Sequence, residues 1–179
     1  EADTLSFVGS SSLQEDPAAI GQEMRRIVGL DQGWTQRVPT WTNAVSELRG
    51  AIEELGVMAV INGVVGNNTH RRLDVKEFRG FALSDPFAPL IFVNGADAKS
   101  AQMFTLAHEL AHLWLGAAGE GLSGFPDLRP DGDDVERFCD QAAAEFLVPE
   151  VELRETWSEV VHSNTPFEQL ASRFKVSPV

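Results

Sequence analysis

Two histidines and a glutamate in the middle of the chain have the residue types and the spacing of a metal-dependent hydrolase site. His108, Glu109 and His112 form the pattern His-Glu-x-x-His within a mainly apolar run at residues 104–116. If this run is helical, the two histidines lie about 40° apart around the axis, so both imidazoles can reach one metal ion. Glu109 lies about 100° from His108, too far round to be a ligand but close enough to contact a water on the metal. The pattern therefore predicts a zinc hydrolase in which His108 and His112 bind Zn2+ and Glu109 is the catalytic base.

Histidines on an apolar helix can also be ordinary core residues whose ring nitrogens are hydrogen-bonded. In this chain, however, two histidines and a glutamate would all need partners within a helix made mainly of Phe, Leu, Ala and Trp. Each buried polar group that is left unpaired costs about 1 to 3 kcal/mol. Because one bound dication satisfies all three groups, the metal site is the favoured interpretation.

A tetrahedral catalytic zinc takes three protein ligands and one water, so the chain should supply a third ligand. The candidate is Glu136, in a second predicted helix that begins after a cluster of aspartates and ends at Pro149. Asp140 follows four residues later and shares the same helix face. Glu136 could then bind the metal while Asp140 accepts the other ring N–H of a ligand histidine and fixes its tautomer. Spacing alone leaves the third ligand open among several carboxylates, namely Glu136, Glu120, Asp127, Asp131, Asp133 and Glu145.

The two predicted helices together resemble those of the ImmA/IrrE family of zinc metallopeptidases. The resemblance rests on residues 104–115 and on the pattern Glu136-x-x-Cys139-Asp140-x-x-Ala143-x-x-Phe146-Leu147-Val148-Pro149. Residues 79–84 and 89–94 are also similar to the family, and the whole resemblance covers roughly residues 44–179. It implies that Glu136 is the third ligand. One difference is Asp140, where many members carry asparagine, and the Glu-x-x-x-Asp spacing here is similar to that of the thermolysin-like gluzincins.

The resemblance also implies a function and a partner. It implies zinc-dependent endopeptidase activity on a basic helix-turn-helix transcriptional repressor, as part of a response to stress or to a mobile element. It further implies that such a domain can follow a DNA-binding module in one chain.

Two alternatives from other classes stay open at this point. The domain could be a non-catalytic, zinc-containing sensing or protein-binding module attached to a DNA-binding regulator. It could also be a different zinc hydrolase, such as a deformylase. A deformylase-like site needs a cysteine ligand upstream of the metal helix, whereas the single cysteine, Cys139, lies downstream and is more readily explained as a small buried apolar residue.

The group that stabilises the oxyanion is less well defined by the sequence. The chain has no tyrosine, so an additional donor must be another kind of residue. The candidates are His70, His162, Arg71 and Arg79, of which we prefer His70. Each of the four is also explained by an ordinary position on the surface.

Length, charge and cysteine content limit the class of protein. The 179 residues and the 43% hydrophobic content fit one domain with a sizeable core. The net charge of −13 argues against direct nucleic-acid binding, which needs clustered Lys and Arg, and favours a basic protein as partner. A single cysteine, no long apolar run and no signal-peptide pattern predict a cytoplasmic protein outside the membrane. We expect residues 1–16 to be an N-terminal arm or linker and residues 17–179 to be a single metallopeptidase domain, in what we expect to be a fragment of a longer chain.

Hydrophobic periodicity and turn residues divide the chain into helices and short strands. We expect helices at 17–29, 43–56, 97–116, 134–149, 151–161 and 165–174, with Asp97 as the N-cap of the metal helix. Strands are expected at 57–61, 78–84 and 90–93, and loops at 34–41, 66–72 and 116–134. The predicted fold is α+β and zincin-like, with a small antiparallel sheet packed on a buried metal-binding helix and other helices around it.

Overall fold

The structure, a computed structural model, describes residues 4–66, 68–116 and 132–178, except for the side chains of residues 132 and 133. The helices are α1 (Pro17–Val28), α2 (Trp34–Arg37), α3 (Trp41–Glu54), α4 (Lys99–Leu115), α5 (Gly132–Leu147), α6 (Glu150–Val160) and α7 (Pro166–Phe174). The strands are β1 (Met58–Asn62), β2 (Val64–Val65), β3 (Asn68–Arg72), β4 (Gly80–Leu83) and β5 (Leu90–Asn94). No helix in these ranges combines the length and hydropathy that a membrane crossing requires.

The main sheet has three strands in the order β1-β5-β4. β4 is antiparallel to β5, with Gly80 opposite Val93, while β1 is parallel to β5, with Met58 opposite Leu90. The predicted α+β class is confirmed, but the sheet is mixed, and the prediction of an antiparallel sheet is wrong in this respect. Periodicity identifies strands but does not give their order, and here β5 lies between two strands that precede it in sequence.

The metal-binding helix predicted from the sequence is α4, and it is buried beneath the sheet and among the other helices. The inward-facing residues Ala82, Ile91 and Val93 of β4 and β5 are fully buried, and both strands pack on α4. Helices α3 and α5 pack on other sides of α4. An apolar sequence on nearly every face of the helix is therefore matched by burial on nearly every face.

Strand β4 lies close to α4 at Gly80. A Cβ atom at this position would lie 2.4 Å from Thr105 Cγ2, 2.8 Å from the Phe92 carbonyl oxygen and 3.4 Å from Glu109 Cγ. The first two distances are shorter than real Cβ atoms tolerate. Only glycine therefore allows the strand to lie this close to the helix that carries the predicted catalytic base.

Helix α5, which carries Glu136 and Asp140, is packed closely against α1. A Cβ atom at Gly21 of α1 would lie 2.4 Å from the Ala142 carbonyl oxygen and 3.0 Å from Glu145 Cβ. Contact between the two backbones at this point fixes the position of α5 along α1. The position of Glu136 thus depends on a small residue in a helix far away in sequence.

A buried ion pair joins α6 to α1. Arg25 Nη2 lies 2.5 Å from Glu152 Oε1, and Arg25 Nη1 donates to the Phe146 carbonyl oxygen at 3.0 Å. Glu152 Oε2 also accepts a hydrogen bond from the Gly33 N–H at 3.1 Å. Burial lowers the pKa of Arg25, against the opposing attraction of Glu152. Because each charge is satisfied by the other and by the backbone, the removal of one partner would leave a buried charge unpaired.

The described residues before α1, which the sequence predicts to be an arm or linker, contact the domain. Phe7 is buried, and its ring stacks on that of Trp114 with centroids 4.4 Å apart. The Gly9 N–H donates to the Leu113 carbonyl oxygen at 2.9 Å. This segment therefore covers the C-terminal end of α4.

Two expected loops contain regular structure. Residues 34–37 form the single helical turn α2, and residues 68–72 form β3, which pairs with β2 in an antiparallel hairpin. The expectation of loops at these places is wrong for different reasons. One helical turn is too short to show periodicity, and β3 is exposed along its whole length, so its side chains show no alternation between apolar and polar.

The starts of two helices also differ from the prediction. α4 begins at Lys99 after Ala98, and the Asp97 carboxylate accepts a hydrogen bond from the Ala98 N–H without capping the helix. α3 begins at Trp41, where the Thr40 side chain caps the helix by accepting from the Asn43 N–H. Sequence patterns locate helices more reliably than their first residues. Most of the expected loop 116–134 lies outside the described residues.

Gly21→Ala should destabilise the domain, because the added methyl group would press on the Ala142 carbonyl and push α1 away from α5. Overpacking of this kind costs about 1 to 3 kcal/mol in the free energy of unfolding. Gly50→Ala is the matched control, since Gly50 lies within α3 and a Cβ atom there would meet nothing within 4 Å. The control should stabilise the protein by about 0.5 to 1 kcal/mol. Urea unfolding measures both effects, and equal stabilisation by the two changes would contradict the packing of α1 on α5.

Candidate metal centre

Three side chains from two helices meet at one point. His108 and His112 lie one turn apart on α4, and Glu136 lies on α5. The Nε2 atoms of His108 and His112 are 3.1 Å apart. Glu136 Oε2 is 3.2 Å from His108 Nε2, and Glu136 Oε1 is 3.2 Å from His112 Nε2. The potential ligand atoms of the three residues all lie within 4.8 Å of one another, so the cluster could hold a metal ion.

The separations in this cluster fit a shared cation. Ligand atoms at about 2.0 to 2.1 Å from a tetrahedral zinc lie about 3.3 Å from one another. The closest contacts between the three side chains, at 3.1 to 3.2 Å, are near that value. Two imidazoles and one carboxylate suit zinc, and in vitro also manganese or cobalt, better than they suit calcium or magnesium.

Asp140 orients one of the two imidazoles. Its Oδ1 atom lies 2.9 Å from His108 Nδ1, on the ring edge that faces away from the cluster. This hydrogen bond lowers the pKa of Asp140, against the opposing effect of burial. A carboxylate at this distance favours the tautomer with its proton on Nδ1. The lone pair of His108 Nε2 is then directed at the cluster.

In the described part of the chain, the cluster is more exposed on α5 than on α4. The His112 side chain is 2% exposed and that of His108 is 12% exposed. On α5, by contrast, the side chains of Glu136 and Asp140 are 37% and 58% exposed. Among the residues that the structure describes, the carboxylates on α5 are therefore the groups of this cluster nearest to solvent.

Glu109 lies beside the cluster between α4 and β4. It follows His108 directly in the helix and is 4% exposed. The close approach of β4 at Gly80 leaves little room around its side chain. Gly80 is not among the site residues predicted from the sequence, although a glycine inside a predicted strand is itself a signal of close backbone approach.

The other candidates for the third ligand do not join this cluster within the described residues. Glu145 is turned towards α1 and α6, where it accepts from Gln22 Nε2 at 2.9 Å and from the Glu150 N–H at 3.1 Å. Cys139 is fully buried in α5. The side chains of Glu120, Asp127, Asp131 and Asp133 lie outside the described residues.

His70, the preferred oxyanion donor, lies on the exposed strand β3. No hydrogen bond or ion pair between His70 and the metal cluster occurs in the described part of the chain. The backbone N–H of His70 donates to Asn68 Oδ1 at 3.0 Å. The role of His70 therefore stays a prediction.

Comparison with known proteins relates the chain to a peptidase family and to a characterised metalloprotease. Residues 52–179 match the model of a peptidase family described as the IrrE N-terminal-like domain. The chain is also similar to the radiation response metalloprotease IrrE of Deinococcus radiodurans, with 33% identity over 97 residues. This match covers 52% of the chain but 29% of the relative, so the chain corresponds to less than a third of that protein.

His112→Ala and Glu136→Ala should each greatly reduce the zinc content of the purified protein, because each removes one of three ligands. Asp140→Ala should weaken zinc binding roughly 10- to 100-fold through the loss of its hydrogen bond to His108. Glu145→Ala is the matched control, since Glu145 is also an acidic residue of α5 but binds Gln22 instead. Elemental analysis and competition with a chelator measure the effect. Normal zinc content in Glu136→Ala, together with loss of zinc in Glu145→Ala, would show that Glu145 and not Glu136 is the third ligand.

Proposed function

The chain belongs to the family of IrrE N-terminal-like domains, a family of metallopeptidases, and from that membership and the site geometry we propose that it is a zinc-dependent endopeptidase. The observation that carries the proposal is the convergence of His108, His112 and Glu136 on one point, with the buried Glu109 next to it. The cluster provides the ligands of a catalytic zinc site, and the neighbouring carboxylate provides a base.

Each residue of the cluster has a role that follows from its position. His108 and His112 would hold the metal through Nε2, and Glu136 would hold it through its carboxylate. When bound, the metal supplies a Lewis acid that polarises the scissile carbonyl and lowers the pKa of a water. Asp140 retains the proton on His108 Nδ1, so that Nε2 keeps its lone pair for the metal.

Glu109 is proposed as the general base. Its carboxylate takes a proton from the attacking water and delivers it to the nitrogen of the leaving amine. Its side chain is buried and lies close to β4 at Gly80, which limits its rotation. Burial also keeps bulk water away from the proton that it carries.

We propose a basic helix-turn-helix repressor as the substrate, in the cytoplasm and in a response to stress or to a mobile element. The resemblance of the sequence to the ImmA/IrrE family suggests this substrate, and the charge of the chain supports it. A net charge of −13 is complementary to the positive surface that a repressor presents to DNA phosphates. The chain itself is not expected to bind nucleic acid.

Glu109→Gln should retain the fold and the zinc but lose peptidase activity, because the amide keeps the shape of the side chain and cannot accept the proton. A general base is typically responsible for about a hundredfold to ten-thousandfold in rate. Glu145→Gln makes the same chemical change on α5 and should leave the rate unchanged. The measurement is mass spectrometry of a candidate repressor after incubation with each zinc-loaded variant.

Equal activity of Glu109→Gln and the parent protein would contradict the role of Glu109. If the zinc-loaded parent protein cleaved no candidate repressor but bound one tightly, the domain would instead be a non-catalytic binding module.

Cleavage at low repressor concentration should slow as salt is added. Attraction between an acidic enzyme and a basic substrate raises their association rate and is screened over about 8 Å at physiological ionic strength. Operator DNA should protect the repressor, because it covers the positive surface that the enzyme needs. A series of cleavage rates with increasing salt, with and without operator, tests both effects. Rates that depend on neither salt nor DNA would mean that recognition is local and apolar.

A further inference from the structure

Phe104 is an exposed aromatic residue on a helix that is otherwise largely buried. Phe104 is 39% exposed, whereas its neighbours Met103 and Thr105 are 0% and 6% exposed. It precedes His108 by four residues, so it projects from nearly the same face of α4 as the metal cluster. The ring centroids of Phe104 and His108 are 6.0 Å apart.

A single exposed apolar residue is not unusual on a protein surface. The position of Phe104 distinguishes it from that ordinary case. Phe104, His108 and His112 follow one another along the helix at intervals of one turn, and exposure falls from 39% at Phe104 to 12% and then 2% for the two imidazole side chains. Phe104 is therefore the most exposed member of this row, and a ligand that approaches His108 from this end would contact its ring.

The Phe104 ring lies close to a predicted metal ligand, with its centroid 6.0 Å from that of His108. Successive residues of an extended peptide are about 3.3 Å apart. A side chain one or two residues from a carbonyl held at the cluster could therefore reach the Phe104 ring. On this basis, and resting on the proposed peptidase function, we propose that Phe104 determines specificity by contacting a substrate side chain next to the scissile bond. The substrate class is then a peptide with a large apolar or aromatic residue at that position.

The physical basis of the preference is the burial of apolar surface. An apolar side chain that covers the ring removes both surfaces from water, and an aromatic one adds ring contacts. A small side chain leaves the ring exposed. An acidic side chain would also be repelled by a protein whose net charge is −13. Differences of this kind between side chains in an apolar site are roughly tenfold to a hundredfold in binding.

The test uses short peptide hydroxamates, which bind a zinc ion through the hydroxamate and require no turnover. The side chain next to the hydroxamate is Phe, Leu, Ala or Asp, and calorimetry measures binding to the zinc-loaded protein. The variants are Phe104→Ala and the conservative Phe104→Leu. Phe167→Ala is the matched control, because Phe167 is also an exposed phenylalanine, 61% exposed, but lies on α7 beside Trp157.

The parent protein should bind the Phe and Leu hydroxamates about 10- to 100-fold more tightly than the Ala and Asp compounds. Phe104→Ala should bind all four with similar affinity and retain full zinc content, while Phe104→Leu should keep part of the preference. Phe167→Ala should behave like the parent protein.

Three outcomes would overturn the inference. If Phe104→Ala keeps the parental preference, Phe104 does not determine specificity, although the peptidase proposal stands. If Phe104→Ala loses zinc, the ring holds His108 in position and its role is structural. If no hydroxamate binds the zinc-loaded parent protein, the proposed function fails and the inference fails with it.

Discussion

The crossing of α4 and α5 holds two imidazoles and a carboxylate within about 3 Å of one another, and the described fold maintains that crossing. Glycines at two closest contacts set the positions of these helices. Gly80 lets β4 lie on α4 above Glu109, and Gly21 lets α1 lie on α5. A methyl group at either position would require the neighbouring elements to shift, and a metal site tolerates changes of only a few tenths of an ångström in its ligand distances. The backbone packing and the chemistry of the site are therefore linked.

Other parts of the molecule stabilise this arrangement from the outside. The Arg25–Glu152 pair holds α6 against α1 and the end of α5, while the stacking of Phe7 on Trp114 covers the end of α4. Because both contacts are buried, the loss of either would lower the free energy of unfolding of the domain. Around the proposed site, Asp140 and Phe104 are exposed and Glu136 is partly exposed.

The sequence predicted best those features that depend on residues close together in the chain. The spacing of His108 and His112, and that of Glu136 and Asp140, follows from the geometry of a single helix, and the structure brings these four residues together. The central position of β5, the contact at Gly21 and the packing of Phe7 depend on residues distant in sequence, so no local pattern could reveal them. The sequence of the exposed strand β3 has no alternation of apolar and polar residues, so neither the strand nor its pairing with β2 could be predicted from it.

We propose that His108, His112 and Glu136 together bind one metal ion, and zinc K-edge X-ray absorption of the purified, zinc-loaded protein measures the ligands of that ion. We expect only nitrogen and oxygen neighbours at about 2.0 to 2.2 Å, with the outer scattering of two imidazole rings. A sulfur neighbour at about 2.3 Å would place Cys139 on the metal, and a spectrum with fewer than two imidazoles would exclude one of the histidines as a ligand. Either result would contradict the assignment of the three ligands.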